Sequence, residues 1–107
     1  MKSSDKVVVV FRSRIRADAD LQALEAAGMR MYELASAMPG FISYKDFESA
    51  DGESVSIVEF SDEASLLAWR DHPEHKQVQE RGRAEFMSEY HIQVCRIERD
   101  YSFSKGD

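Results

Sequence analysis

The chain has 107 residues, of which 43% are apolar, and its 14 Lys and Arg against 20 Asp and Glu give a formal net charge of −6. This length suits one domain with one hydrophobic core, and it excludes a second domain. The acidic balance and the lack of a basic cluster argue against a nucleic-acid partner, because phosphate binding requires clustered Lys and Arg.

Residues 7–15 are predicted to form the first strand, because they are rich in β-branched side chains. One alternating face carries Val7, Val9, Phe11 and Ile15 and is expected to face the core, whereas the other begins with valines and ends with Arg12 and Arg14. The stripe formed by Arg12, Arg14 and Arg16 is suited to an anionic substrate or to acidic residues of a partner subunit, and we expect the second.

Residues 19–37 are predicted to form a helix, with Asp18 as its N-cap and with Met38-Pro39-Gly40 ending it. Two β-rich runs, residues 41–47 and 55–60, then flank a loop that contains an Asp-Gly pair. Because Asp-Gly is a strong turn signal, these two runs are expected to pair as an antiparallel hairpin.

A second helix is predicted to open at Ser61 or Asp62, to pause before Pro73 and to continue to about Met87. The last apolar stretch, residues 90–97, is predicted to be a strand. Apolar residues lie on both of its faces, so both faces need cover.

The order strand, helix, strand, strand, helix, strand is that of the split βαβ plan, an α+β, ferredoxin-like fold with a four-stranded antiparallel sheet and both helices on one face. The first and last strands are apolar on both faces, so we expect a second copy to cover the free sheet face, giving a homodimer. We expect one domain over residues 1–107, with its core at about 7–101 and a loose tail at 102–107.

The only cysteine, Cys95, permits no disulfide within the chain, which favours a reducing compartment. The apolar run that starts the first strand is too short for a signal-peptide core or a membrane span. We therefore expect a cytoplasmic protein with no membrane partner, whose partners are a second copy of itself and a small hydrophobic or aromatic ligand.

Three motifs occur in an order that agrees with these elements: Met38-Pro39-Gly40-Phe41, then Trp69-Arg70-Asp71-His72-Pro73-Glu74-His75-Lys76, then Gly82-Arg83-Ala84-Glu85-Phe86 ahead of Tyr90. Together they resemble the antibiotic biosynthesis monooxygenase family over about residues 7–101. The resemblance implies a dimeric α/β barrel with a ligand cavity between the helices and the sheet of each subunit. The family includes cofactor-independent oxygenases of phenolic polyketides or quinols, haem-degrading enzymes, and members of no known activity.

The haem-degrading branch is disfavoured. Its members need an Asn on the first strand and a haem-ligating His on the second helix, where this sequence has Ser13 and Gln79. The sequence also has no Gly-rich phosphate loop and no nucleotide fingerprint, so no cofactor is expected.

Trp69 and His75 are the principal candidate site residues. Trp69 is either a large core anchor or, as the resemblance implies, the flat wall of an aromatic-substrate cavity. His75 is either an exposed helix residue or, at a pocket-facing position of the family pattern, the base that deprotonates a phenol or hydroquinone, so that the anion can reduce dioxygen. A base that titrates near neutrality suits this step.

His72 and His75 are three residues apart, a spacing that permits the start of a metal site. His72 directly precedes Pro73, however, so we expect it to cap the helix or to face solvent, and no metal is expected.

Tyr32, Arg83 and Phe86 complete the candidate substrate-binding set. The hydroxyl of Tyr32 is expected to reach the cavity, and Phe86 is expected to be a core residue beside it. The resemblance places Arg83 at the pocket mouth, where it would stabilise an oxyanion, although a surface or dimer salt bridge is the alternative. Tyr44 is expected only to pack in the core or the dimer.

Two hypotheses remain. The first is a cofactor-independent monooxygenase-like enzyme that oxidises a small aromatic, phenolic or quinol substrate with dioxygen. The second is a non-catalytic homodimer of the same fold that binds a small molecule or only associates. An enclosed pocket with His75 directed inward favours the first, and a collapsed core with His75 in solvent favours the second.

Overall fold

A computed structural model describes residues 5–106. Residues 1–4 and residue 107, the end of the predicted loose tail, lie outside the described residues. The four strands and three helices, in chain order, are β1 Val7–Ile15, α1 Leu21–Ser36, β2 Phe41–Glu48, β3 Ser54–Phe60, α2 Glu63–Arg70, α3 Pro73–Arg81 and β4 Met87–Arg96. A π-helical turn, Gly82–Phe86, joins α3 to β4.

The sheet has the strand order β2-β3-β1-β4, and each neighbouring pair is antiparallel. The predicted ferredoxin-like α+β fold is therefore confirmed. The pause predicted before Pro73 is a break between α2 and α3, where Pro73 occupies the first turn of the new helix.

The core lies between the helices and one face of the sheet. Alternate residues of β1 and β3 point into it, as expected for strands with one covered face. Its buried members are Val7, Val9, Leu34, Ala35, Val58, Phe60, Leu66 and Trp69.

Two predicted boundaries differ from the structure. The N-cap of α1 is Asp20, which accepts hydrogen bonds from the backbone of Gln22 and Ala23, whereas Asp18 pairs with Arg16 at 2.8 Å. The second helix ends earlier than predicted because its last turn widens into the π-helical turn, so β4 starts at Met87, opposite Ile15 on β1.

Gly40 ends the α1–β2 connection where the chain crosses the start of α2. A Cβ atom at this position would lie 2.5 Å from Ser65 Oγ and 2.7 Å from Ser61 Oγ. The Gly40 carbonyl also accepts a hydrogen bond of 2.7 Å from the Ser61 backbone. The glycine in Met38-Pro39-Gly40 is therefore required by this close approach.

The arginine stripe of β1 pairs with acidic residues of the same chain, which differs from the expected pairing with a partner subunit. Arg12 contacts Glu53 at 3.0 Å, and Arg14 contacts Asp51 at 3.0 Å and Glu89 at 3.2 Å. The β2–β3 loop brings two of these carboxylates over the end of β1, because Gly52 adopts a φ of 89° and turns the loop back.

The sheet face opposite the helices carries an apolar strip, which we call the open face. The pairing register places Val10 between Ile57 on β3 and Gln93 on β4. Its apolar members on the two central strands are Val8, Val10, Val55 and Ile57. No helix among residues 5–106 combines the length and apolar content that a membrane span requires.

Candidate functional site

A cavity of about 1140 Å³ lies between the helices and the helix-facing side of the sheet. Ligand pockets commonly measure roughly 300–1,000 Å³, so this one has room for a multi-ring molecule. Its lining is mostly apolar, with residues from β1, β3 and β4 on one side and from α1, α2 and α3 on the other. The core is therefore not collapsed, contrary to what the second hypothesis expected, although the cavity is partly open to solvent, where exposed residues such as Met29 and Val94 line it.

Four rings, which we call the aromatic belt, form one part of the cavity wall: Tyr32, Tyr44, Trp69 and His75. Trp69 contacts two of them edge-on, with ring-centre distances of 4.5 Å to His75 and 6.3 Å to Tyr44. Tyr32 and Tyr44 are 5.7 Å apart. Edge-to-face packing of this kind fixes ring orientations and leaves flat surfaces for a planar ligand.

Trp69 is placed by the short helix α2. Asp62 caps this helix by accepting a hydrogen bond of 2.8 Å from the Ser65 backbone, and Leu66, one turn before Trp69, is buried in the core. Trp69 itself is only 5% exposed, and its indole Nε1 is buried without a hydrogen-bond partner. Trp69 is therefore at once a core anchor and a cavity wall.

His75 is turned inward by the start of α3. Pro73 begins the helix, and His72 caps it by accepting a hydrogen bond of 3.1 Å from the Glu74 backbone, as expected for His72. His75 is 8% exposed and lines the cavity, and its Nδ1 is buried without a hydrogen-bond partner.

Burial, with a smaller contribution from the nearby charge of His72, lowers the pKa of His75 to about 4. The imidazole is thus neutral at pH 7 and has one nitrogen free to accept a proton. Its pKa lies below the near-neutral value expected from the sequence, because the ring is desolvated.

The structure brings four of the five predicted site residues to the cavity. Trp69 and His75 are joined there by Phe86, which is 2% exposed, and by Tyr32, which is 42% exposed. Arg83 is an exposed residue of the π-helical turn and does not belong to the cavity lining.

Several cavity residues were not predicted as site residues. Ser13 and Gln79, which occupy the positions where haem-degrading members of the family have Asn and His, both line the cavity. Tyr44, Ser56 and Asp46 line it as well. The alternation of β2 places Tyr44 and Asp46 on one face, but their meeting with Ser56 depends on the β2–β3 register, which the sequence does not show.

No three His, Cys, Asp or Glu side chains within residues 5–106 are arranged to hold a metal ion.

The chain belongs to the antibiotic biosynthesis monooxygenase family, whose family model matches residues 6–81. Two of the three motifs lie inside this match, while Gly82-Arg83-Ala84-Glu85-Phe86 lies beyond it. The family assignment therefore rests on β1 through α3, the part of the chain that contains Trp69 and His75.

The chain is also similar to individual proteins. The chain is 29% identical over 77 residues to the uncharacterized protein YqjZ of Bacillus subtilis, a match that covers 72% of this chain and 68% of that protein. The structure of Rv0793 from Mycobacterium tuberculosis is 26% identical, with a TM-score of 0.77, and the match covers 91% of this chain and 99% of that one.

SnoaB, a cofactor-independent oxygenase from Streptomyces nogalater, has the same fold. Its TM-score is 0.74 at 16% identity, with 91% of this chain and 97% of that chain covered.

Proposed function

We propose that the protein is a cofactor-independent monooxygenase-like enzyme that oxidises a small aromatic, phenolic or quinol substrate with dioxygen. The observation that carries the proposal is the cavity, in which a neutral, inward-facing His75 packs against the flat indole of Trp69. Family membership and the cofactor-independent oxygenase among proteins of the same fold support it.

In this proposal a phenolic substrate lies along Trp69 and transfers its hydroxyl proton to His75. The electron-rich anion then passes one electron to dioxygen, giving a substrate radical and superoxide. Pairing with the anion stabilises the protonated His75 inside the apolar cavity, which offsets the low pKa of the unpaired ring.

The remaining steps need no oxidant or reductant other than the substrate and dioxygen. The radical and superoxide combine at a ring carbon to form a C–O bond, and the resulting peroxide takes the proton from His75. Loss of the proton on that ring carbon and cleavage of the O–O bond give a quinone and water, so one oxygen atom enters the product and the other leaves as water.

Oxygen uptake tests this function directly. We expect the wild-type protein, in metal-free buffer, to consume oxygen with at least one of a panel of hydroquinones and polyphenols, above the autoxidation rate. Labelled dioxygen should place one labelled atom in the quinone product. The His75→Gln variant should lower kcat by about 10²-fold, because it removes the proton acceptor.

The matched control is His91→Gln, which removes an exposed histidine outside the cavity lining and should leave turnover unchanged. Absence of enzyme-dependent uptake across the panel would contradict the proposal. If the His75→Gln variant turns over substrate at the wild-type rate, the protein is an oxygenase but His75 is not its base.

One observation favours the second candidate, a non-catalytic binder of small aromatic molecules. A histidine base is usually oriented by a hydrogen bond on its second nitrogen, and Nδ1 of His75 has none. This candidate predicts saturable binding of aromatic ligands without oxygen uptake.

The open face is the proposed homodimer interface, with a second copy of the chain as its occupant. The face is continuous across the two central strands, its apolar members are Val8, Val10, Val55 and Ile57, and the neighbouring arginines are already neutralised within their own chain. Glu59, opposite Val8, and Lys45, opposite Ile57, share this face and carry opposite charges, so the two copies of the proposed dimer have to pair these residues or keep them at the solvated rim. A cytoplasmic location remains a prediction.

A further inference from the structure

The cavity wall formed by α1 has a gap at Gly28. This residue lines the cavity, and because glycine has no side chain, the helix backbone itself forms the wall here. Leu24 and Tyr32, about one turn before and after it, line the cavity as well. Residues four apart lie on one face of a helix, so a side chain at position 28 would point between these two. We call the space at Gly28, flanked by Leu24 and Tyr32, the α1 notch.

The α1 notch is open space. A Cβ atom at Gly28 would have no contact within 4 Å outside the adjoining residues and the helix backbone. Gly28 is exposed, as are Met29 and Tyr32 beside it, so the notch lies where the cavity opens to solvent. A ligand can therefore approach the backbone of α1 closely at this point, an approach that any side chain would hinder.

The fold itself gives no reason for a glycine at this position. Gly28 lies in the interior of α1, and among the glycines of residues 5–106 only Gly52 has a positive φ, so alanine would adopt the same backbone conformation. Glycine inside a helix lowers stability relative to alanine. A residue that weakens its own element without serving the packing is expected where function requires it.

The aromatic belt connects the α1 notch to Trp69. The Trp69 and Tyr44 ring centres are 6.3 Å apart, and those of Tyr44 and Tyr32 are 5.7 Å apart. Tyr32 in turn borders the notch. A ligand that contacts both the indole of Trp69 and the backbone at Gly28 therefore has to extend along two tyrosine rings, and a single ring is too small to do so.

We propose that Gly28 is a specificity-determining residue, and that the α1 notch receives the part of an aromatic ligand that extends beyond the ring on Trp69. The inference rests on the proposed function and deepens it, because it names the size of the substrate that the cavity selects. Ligands with several fused rings bury additional apolar surface against the helix backbone, which strengthens their binding, whereas ligands with one ring do not.

Two phenols of different size test this role, in anaerobic equilibrium dialysis so that turnover does not interfere. The probes are 4-ethylphenol, with one ring, and 9-phenanthrol, with three fused rings. Gly28→Leu fills the notch. We expect it to weaken 9-phenanthrol binding by about 10-fold or more, because the ligand and the new side chain compete for the same space, and to leave 4-ethylphenol binding unchanged.

Ala26→Leu is the matched control. Ala26 is an exposed residue of the same helix and lies outside the cavity lining, so this variant adds a leucine to α1 without filling the notch. Both probes should bind to it as they bind to wild type. Circular dichroism and thermal unfolding confirm that each variant is folded.

Gly28→Ala separates the effect of the notch from damage to the fold. One methyl group only narrows the notch, so 9-phenanthrol should bind about 2- to 4-fold more weakly. The same variant should be more stable than wild type, because alanine favours the helix. Weaker binding by a more stable protein is a result that a purely structural role of Gly28 does not produce.

The outcomes distinguish the inference from the proposed function. The inference is overturned, while the aromatic cavity stands, if folded Gly28→Leu binds 9-phenanthrol as tightly as wild type, if it loses affinity for both probes equally, or if wild type binds only 4-ethylphenol. If folded wild-type protein binds neither probe, the cavity is not an aromatic site, and the proposed function fails together with the inference.

Discussion

His75 links the cavity to the stability of the fold. Its imidazole is 8% exposed, and burial lowers its pKa from 6.5 in the unfolded chain to about 4 in the folded protein. Between these two values the unfolded state binds more protons than the folded state. The free energy of unfolding therefore rises with pH from about 4 to 6.5, and acid removes stability over the same range.

This linkage gives a prediction for His75→Gln. The variant lacks the buried titrating group, so wild type should lose about 2 kcal/mol more than the variant when the pH falls from 7 to 5. Urea denaturation at the two pH values measures the difference. An equal loss in both proteins would show that His75 is already solvated in the native state.

Single residues differ in how far the sequence predicts their roles. The cavity positions of Trp69 and His75 agree with the motif that contains them, because α2, capped by Asp62, places Trp69, and the start of α3 at Pro73 turns His75 inward. The sequence carries no comparable signal for Tyr44, since the rings it packs against in the cavity wall, Tyr32 and Trp69, come from two helices distant in the chain. Arg83 stands in a recognisable sequence pattern, but on the π-helical turn its side chain is exposed and does not belong to the cavity lining, which agrees with the surface alternative.

Helix α1 contains a glycine, Gly28, at a position where the surrounding structure leaves room for a larger side chain. A Cβ atom at Gly28 would meet no atom within 4 Å, and Gly28 lies in the interior of the helix. Alanine restricts the unfolded backbone and favours the helix relative to glycine. Gly40 is the contrasting case, because a Cβ atom there would clash with the start of α2.

We therefore predict opposite effects for the same substitution at these two sites. Gly28→Ala should raise the free energy of unfolding by about 0.5–1 kcal/mol, and Gly40→Ala should lower it by about 1–3 kcal/mol. Chemical denaturation of both variants in one buffer provides the comparison. Stabilisation by Gly40→Ala would show that Ser65 and Ser61 move aside without cost.

Most elements are predictable from periodicity, and the exceptions have physical causes. The strand β1 is recovered because its β-branched run has no competing helical pattern. The start of β4 is missed because the Gly82–Phe86 segment continues a helical pattern of apolar spacing while its backbone has already widened to a π-helical turn. Such a turn depends on packing at its two ends.

For the whole molecule, the open face is the feature that a single chain leaves uncovered. Val10→Asp would place a charge at the centre of the proposed interface, where desolvation of an unpaired carboxylate is costly. We expect wild type to sediment at about 24 kDa, twice the 12.2 kDa of one chain, at micromolar concentration, and Val10→Asp to sediment as a monomer.

The control for this experiment is Leu21→Asp, which adds the same charge at a residue that is 68% exposed at the start of α1. It should remain dimeric. A wild-type protein that sediments as a monomer would reject the interface, and dissociation by both variants would show a general effect of charge.

The position of β1 in the sheet also determines the order in which the chain can fold as it is made. Val7 pairs with Phe60 on one side and with Arg96 on the other, so β1, which is synthesised before β3 and β4, has both of its partners only after β4 has emerged from the ribosome. Until then the run from Val7 to Phe11, which is apolar and rich in β-branched residues, has an unpaired edge. The nascent domain is thus exposed to aggregation until β4 has been made, and a chaperone that holds this segment would act before the cavity exists.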